Sequence, residues 1–363
     1  MSRPIFSDIE SPAMKSQEID NLKTNSKRTG ICTAVAFVFG FIGFCMAAAA
    51  VAGVRQLMID SQVKTGAILT VGNASPLKGH SKAYSLYAGS GQWTSKTVLP
   101  ENLSDFQAVS HKTHVYVIGG QKGCVSSDTC AGTFVNTVYQ YDTKLDKYTT
   151  KAAITDNGVA AIRYRYASAV VGDKIYIIGG LTADTPTGML KTTLIYDINA
   201  NSWSTGPNMA TGRSDTCAAV VGSKIYVVAG YQSIDPINVL DTVEVLDTAA
   251  ASPAWMTAPS LPAKRGDITC ASSGGKVYAI GGYYDPAGAW SNTAFHDTMF
   301  ELTPGAAAWV EKAKMPSSRG DKAAVTMSDG SIIVVGGETH AREEQNQIAA
   351  HPVEQYYPAH DTW

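Results

Sequence analysis

The stretch Ile175-Tyr176-Ile177-Ile178-Gly179-Gly180 sets four apolar side chains, three of them β-branched, against a pair of glycines. β-Branched and aromatic residues suit a buried strand. The glycines let the chain turn with φ > 0 and leave room for a neighbour's large side chain. The pattern returns along the chain. Val115-Tyr116-Val117-Ile118 precedes Gly119-Gly120, and Ile225-Tyr226-Val227-Val228 precedes Ala229-Gly230. Val277-Tyr278-Ala279-Ile280 precedes Gly281-Gly282, and Ile332-Ile333-Val334-Val335 precedes Gly336-Gly337. A weaker copy, Ala67-Ile68-Leu69-Thr70 before Val71-Gly72, comes first.

A second landmark follows each tetrad, a strand carrying a large aromatic: Trp93, Tyr148, Trp203, Trp255, Trp309 and Trp363, spaced 55, 55, 52, 54 and 54 residues apart. Seven residues before most of them sits a Tyr or Leu, at Leu86, Tyr141, Tyr196, Leu302 and Tyr356. Fixed-period self-similarity marks a repeat architecture. Four short strands and their turns fill such a unit, and one four-stranded sheet cannot bury both faces. Six units stacked around an axis can, with the aromatics packing between neighbours, which gives a β-propeller. The composition agrees: 45% hydrophobic, 17% charged and 33 glycines in 363 residues describe an ordered chain. A net charge of −2 speaks against a broad nucleic-acid footprint.

The tetrad-Gly-Gly, the Tyr141-Asp142 and Tyr196-Asp197 pairs and the spaced tryptophans together resemble the kelch repeat family over residues 64–363. The departures are Ala229 and Val71 for the first glycine, Tyr148 for Trp, and a degenerate first repeat. The resemblance implies an all-β, six-bladed propeller that works as a protein- or glycan-binding module through the rim of its channel mouth. Some kelch propellers are enzymes, so a carbohydrate-active alternative, a sugar epimerase or oxidase, stands beside it. No copper-site arrangement stands out among the seven histidines, His340, His351 and His360 reading as loop residues. No metal or cofactor is therefore expected, and a binding module is preferred over an enzyme. Earlier repeats run on past the closing aromatic into a further inner strand, whereas this sequence stops at Trp363. Either Arg55–Val63 supplies the missing inner strand or a natural C-terminal piece is lacking. The second reading is preferred, since 55–63 would otherwise be both membrane linker and innermost strand.

Gly30 to Val54 is an uncharged run of 25 residues. At about 1.5 Å rise per residue it is long enough to cross a hydrocarbon core of roughly 30 Å as a helix. Lys15, Lys23, Lys27 and Arg28 precede it, which places residues 1–29 in the cytosol and the rest outside. The reading is a cytosolic tail over 1–29, a transmembrane signal-anchor helix over 30–54, a linker over 55–63 and a propeller on the extracellular or lumenal side. A signal peptide cleaved after Ala50-Val51-Ala52 is the competing reading. The sequons at Asn73 and Asn102 lie beyond the run and are glycosylation candidates.

Aligned on the second glycine, the repeats carry charge pairs at the start of the expected inner strand: Arg163/Arg165, Arg213/Asp215, Arg265/Asp267 and Arg319/Asp321, with Leu103/Asp105 in the second repeat. Such a row would ring one mouth of the channel. Each Arg either pairs with an Asp of its own or the next blade, or joins a ring that grips an anionic ligand or partner loop, since guanidinium groups hold carboxylates bidentately. Arg165 has no acid in register and is the first choice for a carboxylate contact. Arg265-Gly266-Asp267 and Arg319-Gly320-Asp321 spell an adhesion tripeptide, but their repeat positions account for them. Cys124 and Cys130 are expected to form a short-loop disulfide in an oxidising lumen. Cys217 and Cys270, on successive inner strands, are expected to be buried free thiols.

Overall fold

The computed structural model describes residues 55–58, 67–71, 82–86, 93–122, 133–183, 188–234, 237–284, 286, 294–338 and 353–363. Every regular element among them is a β-strand. No helix among the described residues is long and apolar enough to cross a membrane, and the apolar run 30–54 lies outside them. The expected Cys124–Cys130 bond and the sequon at Asn73 also lie outside the described residues.

In the third repeat Ala167–Val171, Lys174–Ile178, Thr193–Asp197 and Ser202–Thr205 pair antiparallel in chain order. The fourth repeat uses Cys217–Val221, Lys224–Ile234, Ile237–Asp247 and Trp255–Ala258 in the same way. The fifth uses Thr269–Ser273, Lys276–Ile280, Met299–Leu302 and Val310–Lys312. Gln107–His111, His114–Ile118, Val138–Asp142 and Lys147–Thr150 make the second sheet, and Ala323–Thr326, Ile332–Val335 and Glu354–Tyr356 the last. Ala67–Val71, Lys82–Leu86 and Trp93–Lys96 form a three-stranded sheet from the degenerate first repeat.

From the second repeat on, the tetrad occupies the second of the repeat's own strands, and the packing explains why it lacks a polar face. Ile175 and Ile177 pack with Val109, Tyr116 and Ile118 of the preceding repeat. Tyr176 and Ile178, on the opposite face, pack with Ala218, Ile225 and Val227 of the following one. Successive strand side chains point to opposite faces, so a strand with a sheet on each side must be apolar throughout. Each fully buried side chain of this size contributes about 1.5–3 kcal/mol. The series continues from the fourth sheet to the fifth and from the fifth to the last. Ala323 of the last sheet then joins the cluster of Leu103, Val115 and Val117 in the second, so the stack curls back on itself as a propeller does.

Of the expected linker over 55–63, residues 55–58 are described and 59–63 lie outside the described residues. Arg55–Met58 is a strand, paired in parallel with the inner strand Gln107–His111 and lying beside Ala323–Thr326. It takes up an inner position between the second and last repeats.

Two devices tie neighbouring sheets together. The indole N–H of Trp203 donates to the Ala152 carbonyl at 3.0 Å, that of Trp255 to Pro207 at 3.0 Å, that of Trp309 to Pro259 at 2.7 Å and that of Trp363 to Ala313 at 2.7 Å. The acceptor belongs to the preceding repeat each time, which gives the periodic aromatic its reason. The upstream tyrosines form the second device. Tyr196 Oη donates to Asn201 at 2.6 Å and Tyr356 Oη to Asp361 at 2.7 Å, while Tyr141 donates to Asp146. These Asx residues turn the chain at φ of 51°, 52° and 52°. They also accept the backbone N–H of Ala152, Ala313 and Thr97 from the preceding repeat.

Cys217 and Cys270 correct a second expectation. They are joined in a disulfide across adjacent inner strands, with Cα atoms 5.4 Å apart, inside the range a disulfide spans. Neighbouring inner strands run side by side at equivalent positions, so two cysteines in register fall within bonding distance.

Candidate functional site

The segment entering each inner strand contains one residue in the left-handed region: Asp105 (φ 52°), Arg165 (54°), Asp215 (51°), Asp267 (49°) and Asp321 (46°). Among residues with a Cβ, Asp and Asn tolerate this conformation best, so the recurring Asp has a backbone reason. The same residues are stitched blade to blade. Arg165 N–H donates to the Asp105 carbonyl at 3.2 Å, Asp215 N–H to Arg165 at 3.0 Å and Asp321 N–H to Asp267 at 3.0 Å. A belt of backbone bonds thus fixes the mouth of the channel.

The arginines two residues earlier do not line that mouth. Arg163, Arg213, Arg265 and Arg319 are all 3% exposed or less and turn into their own sheets. Arg213 Nη2 reaches Glu244 at 2.7 Å, and its Nη1 donates to the carbonyls of Ala229 and Thr242. Arg319 pairs with Glu354 and donates to the Gly336 carbonyl at 2.9 Å. Arg265 donates to Gly281 and Thr298 and stands 5.0 Å from the Phe300 ring centroid. Arg163 donates to Thr192 Oγ1 at 3.0 Å and lies 3.9 Å from Asp156. Glu244, Phe300, Glu354 and Leu194 occupy the same register position, opposite the third residue of the tetrad. Burial pulls all four guanidinium pKa values down. Glu244 and Glu354 resist this for their partners, whereas Arg265 falls to about 10.

Expectations for the row are corrected accordingly. Arg213 and Arg319 pair with glutamates of the third strand, Arg163 stands near Asp156, and Arg265 donates to neutral groups, so the arginines do not pair with the Asp two residues on. Arg165 does meet acids, supplied by its neighbours: Asp105 at 3.4 Å and Asp215 at 3.9 Å. The mouth is therefore acidic rather than electropositive. Both adhesion-like tripeptides have buried arginines, and their glycines make room for rings. A Cβ on Gly266 would fall 2.1 Å from the Tyr231 ring, and one on Gly320 would fall 3.1 Å from that of Phe295. Tyr231 also donates its hydroxyl to Asp267 at 2.7 Å, and burial followed by that carboxylate keeps its pKa well above the ordinary value.

Sequence reasoning missed one grouping. Oxygens of Asp215, Asp267 and Asp321 all lie within 4.8 Å of one another, where the absence of any metal-ligand set was expected. They line a small channel recess, about 10 Å³ in volume, together with Gln107, Thr269 and Lys322. The Lys322 ammonium is turned to the Arg319 carbonyl at 2.9 Å. Burial, then Arg319 and Arg265, push its pKa well below the usual lysine value against the pull of Asp321 and Asp267. Of the remaining candidates, Asn102 is exposed, His360 is an exposed turn residue, and His340 and His351 lie outside the described residues.

Loop length separates the two faces. On one face the first and second strands are joined by two-residue hairpins, as at Gly172-Asp173, Gly222-Ser223 and Gly274-Gly275. On the face of the charged belt, residues 119–137, 179–192, 281–298 and 336–353 connect the second strand to the third. In the fourth repeat the connection is a hairpin extending to Ile234 and Ile237.

Known proteins agree with this architecture. The KLHDC2/KLHL20/DRC7 Kelch-repeats domain model matches residues 165–363, and the Kelch motif matches residues 103–152. Kelch repeat protein M-T8 of Myxoma virus (strain Lausanne) is 31% identical over 117 residues, covering 32% of this chain and 19% of that protein. The chain thus spans about a fifth of the length of the curated relative it matches. The solved structure of YjhT superposes with a TM-score of 0.62 at 15% identity, over 79% of this chain and 91% of that one. On the repeats, the sheets and these matches, the chain belongs to the kelch repeat family.

Proposed function

We propose that this chain is a membrane-anchored, extracytoplasmic, six-bladed kelch propeller that binds a protein or glycan partner on the face of its long connections. The observation that carries the reading is the asymmetry of the loops. Long connections on a rigid scaffold are where recognition concentrates, and here they leave and rejoin the sheets at the end that carries the mouth, whose backbone is locked by the φ > 0 belt. Low-dielectric channel walls focus the field of that acidic mouth, so a partner presenting basic or hydroxyl groups suits it better than the anionic one expected from the arginines. The uncharged run at 30–54 with its positive N-terminal flank supports the anchor and the orientation. The Cys217–Cys270 bond supports an oxidising compartment, where Asn102 would be open to glycosylation.

The test places a photo-cross-linking residue at exposed positions of the full chain in its native membrane. Thr182 and Gln232 report on the long-connection face, Lys174 and Lys224 on the hairpin face. Partner adducts form from the first pair and not the second. Adducts confined to the hairpin face would overturn the reading. Protease added outside the cytosol digests the propeller and spares a tag on residues 1–29; the opposite pattern would reverse the orientation.

A further inference from the structure

We propose that the channel recess binds one hard divalent cation of the calcium class, held by Asp215, Asp267 and Asp321 with Gln107 and Thr269. Acid groups alone would not carry this, since carboxylates also cluster for structural reasons. Two further side chains point to a ligand. Gln107 is 2% exposed and Thr269 is 1% exposed, and both line the recess that holds the three carboxylates. Gln107 Oε1 and Thr269 Oγ1 are buried and have no hydrogen-bond partner. A buried polar atom left unsatisfied is costly, and two of them on residues lining one polar recess leave a place for a species that accepts oxygen donors.

The donor set selects the class of ion. Three carboxylates, an amide carbonyl and a hydroxyl are all hard oxygen ligands, which suit calcium or magnesium and not the softer metals held by thiolate or imidazole. Carboxylate oxygens that all lie within 4.8 Å of one another are close enough to share one ion at calcium's distance of about 2.3–2.6 Å. Magnesium demands tighter, near-octahedral packing at about 2.0–2.1 Å. Lys322 is the cationic group that lines the recess among the described residues, against three carboxylates in the same lining, and its ammonium is turned to the Arg319 carbonyl. The ligands come from different blades, so an ion at this point would link the fourth, fifth and last inner strands with the second. This inference does not depend on the partner reading above, because it is tested with the ion alone.

Isothermal titration of calcium chloride into full-length protein stripped with chelator tests it, beside thermal melts with and without calcium. The expected result is a single site with a dissociation constant of about 10⁻⁵–10⁻³ M, a calcium-dependent rise in melting temperature, and weaker binding of magnesium. Asp267→Asn, which keeps a residue at ease with φ > 0, weakens calcium by at least about tenfold, as even outer-shell changes do. Thr269→Val removes a donor without changing charge and weakens it in the same direction. Asp329→Asn, in a hairpin turn away from the recess, leaves it unchanged. No binding by the unaltered protein would overturn the proposal. So would equal affinity in Asp267→Asn, Thr269→Val and the unaltered protein, which would put the ion elsewhere.

Discussion

Ala229 stands where the second, third, fifth and last repeats have the first glycine, at φ 56°, a conformation that costs an L-residue with a Cβ about 1–2 kcal/mol. Replacing it with Gly is expected to stabilise the protein by about 0.5–1 kcal/mol after the extra chain entropy of glycine is set against the relief. The second glycine tolerates less because it lies further into the positive region, at φ 83° for Gly180 against 71° for Gly179, while both sit close against backbone. A Cβ on Gly180 would meet the Tyr164 carbonyl at 2.6 Å, and one on Gly179 the Arg213 carbonyl of the next blade at 2.5 Å. The close neighbour at these glycines is chiefly backbone, not the large side chain the sequence suggested, and Gly180→Ala should lose about 1–3 kcal/mol. Urea unfolding of both variants checks the pair; a loss in Ala229→Gly would contradict the account of the turn. His296 gives a pH prediction. Burial, then Arg265 and Lys322, lower its pKa from 6.5 to about 4. Between those values the unfolded chain binds a proton that the folded one refuses. Its contribution is therefore present above about pH 6.5 and lost as pH falls toward 4, at up to about 1.4 kcal/mol per pH unit. His296→Gln should flatten that part of the stability curve, measured by denaturant titrations at pH 7 and 4.5. An unchanged acid slope would show that His296 does not set it.

At the scale of the strand, the tetrads were legible because both faces of one strand are buried against different neighbours, which leaves an uninterrupted apolar signal. The periodic tryptophans were legible as packing residues, although their indole bonds to the preceding blade were not. The arginine partners were hidden for a physical reason. Glu244 and Glu354 lie across the sheet on the third strand, behind connections of unequal length, so no fixed spacing links them to Arg213 and Arg319. The acids around Arg165 belong to adjacent repeats, and a search within one repeat cannot find them. The cysteine pair follows the same logic, since inner strands 53 residues apart in sequence become neighbours only when the sheets stack. That bond closes a long loop and is expected to contribute about 2–4 kcal/mol. Cys217→Ser or full reduction should lower the melting temperature by a matching amount. A melt insensitive to both would show that the two inner strands are held without it.

For the molecule as a whole, the second and last sheets sharing the Ala323 cluster make the stack cyclic, and Arg55–Met58 sits in the seam. Leu57→Pro removes a backbone donor from that parallel ladder. Amides of Gln107–His111 should then exchange faster while those of Ala167–Val171 stay protected; uniform protection would mean that the strand does not hold the seam. The central claim is a division of labour between two rings of charge. The buried arginines lock each blade, and the acidic belt at the mouth remains for contact with other species. Urea unfolding of Arg213→Ala, Arg319→Ala and Asp267→Asn, all in chelator, tests it most directly. The arginine variants are predicted to lose about 3–5 kcal/mol each, because Glu244 or Glu354 is left buried without its partner. Asp267→Asn is predicted to hold or gain stability through reduced repulsion among the three carboxylates. If Asp267→Asn collapses the fold while the arginine variants melt like the unaltered protein, the acidic belt is the structural lock and the division proposed for the two rings is wrong.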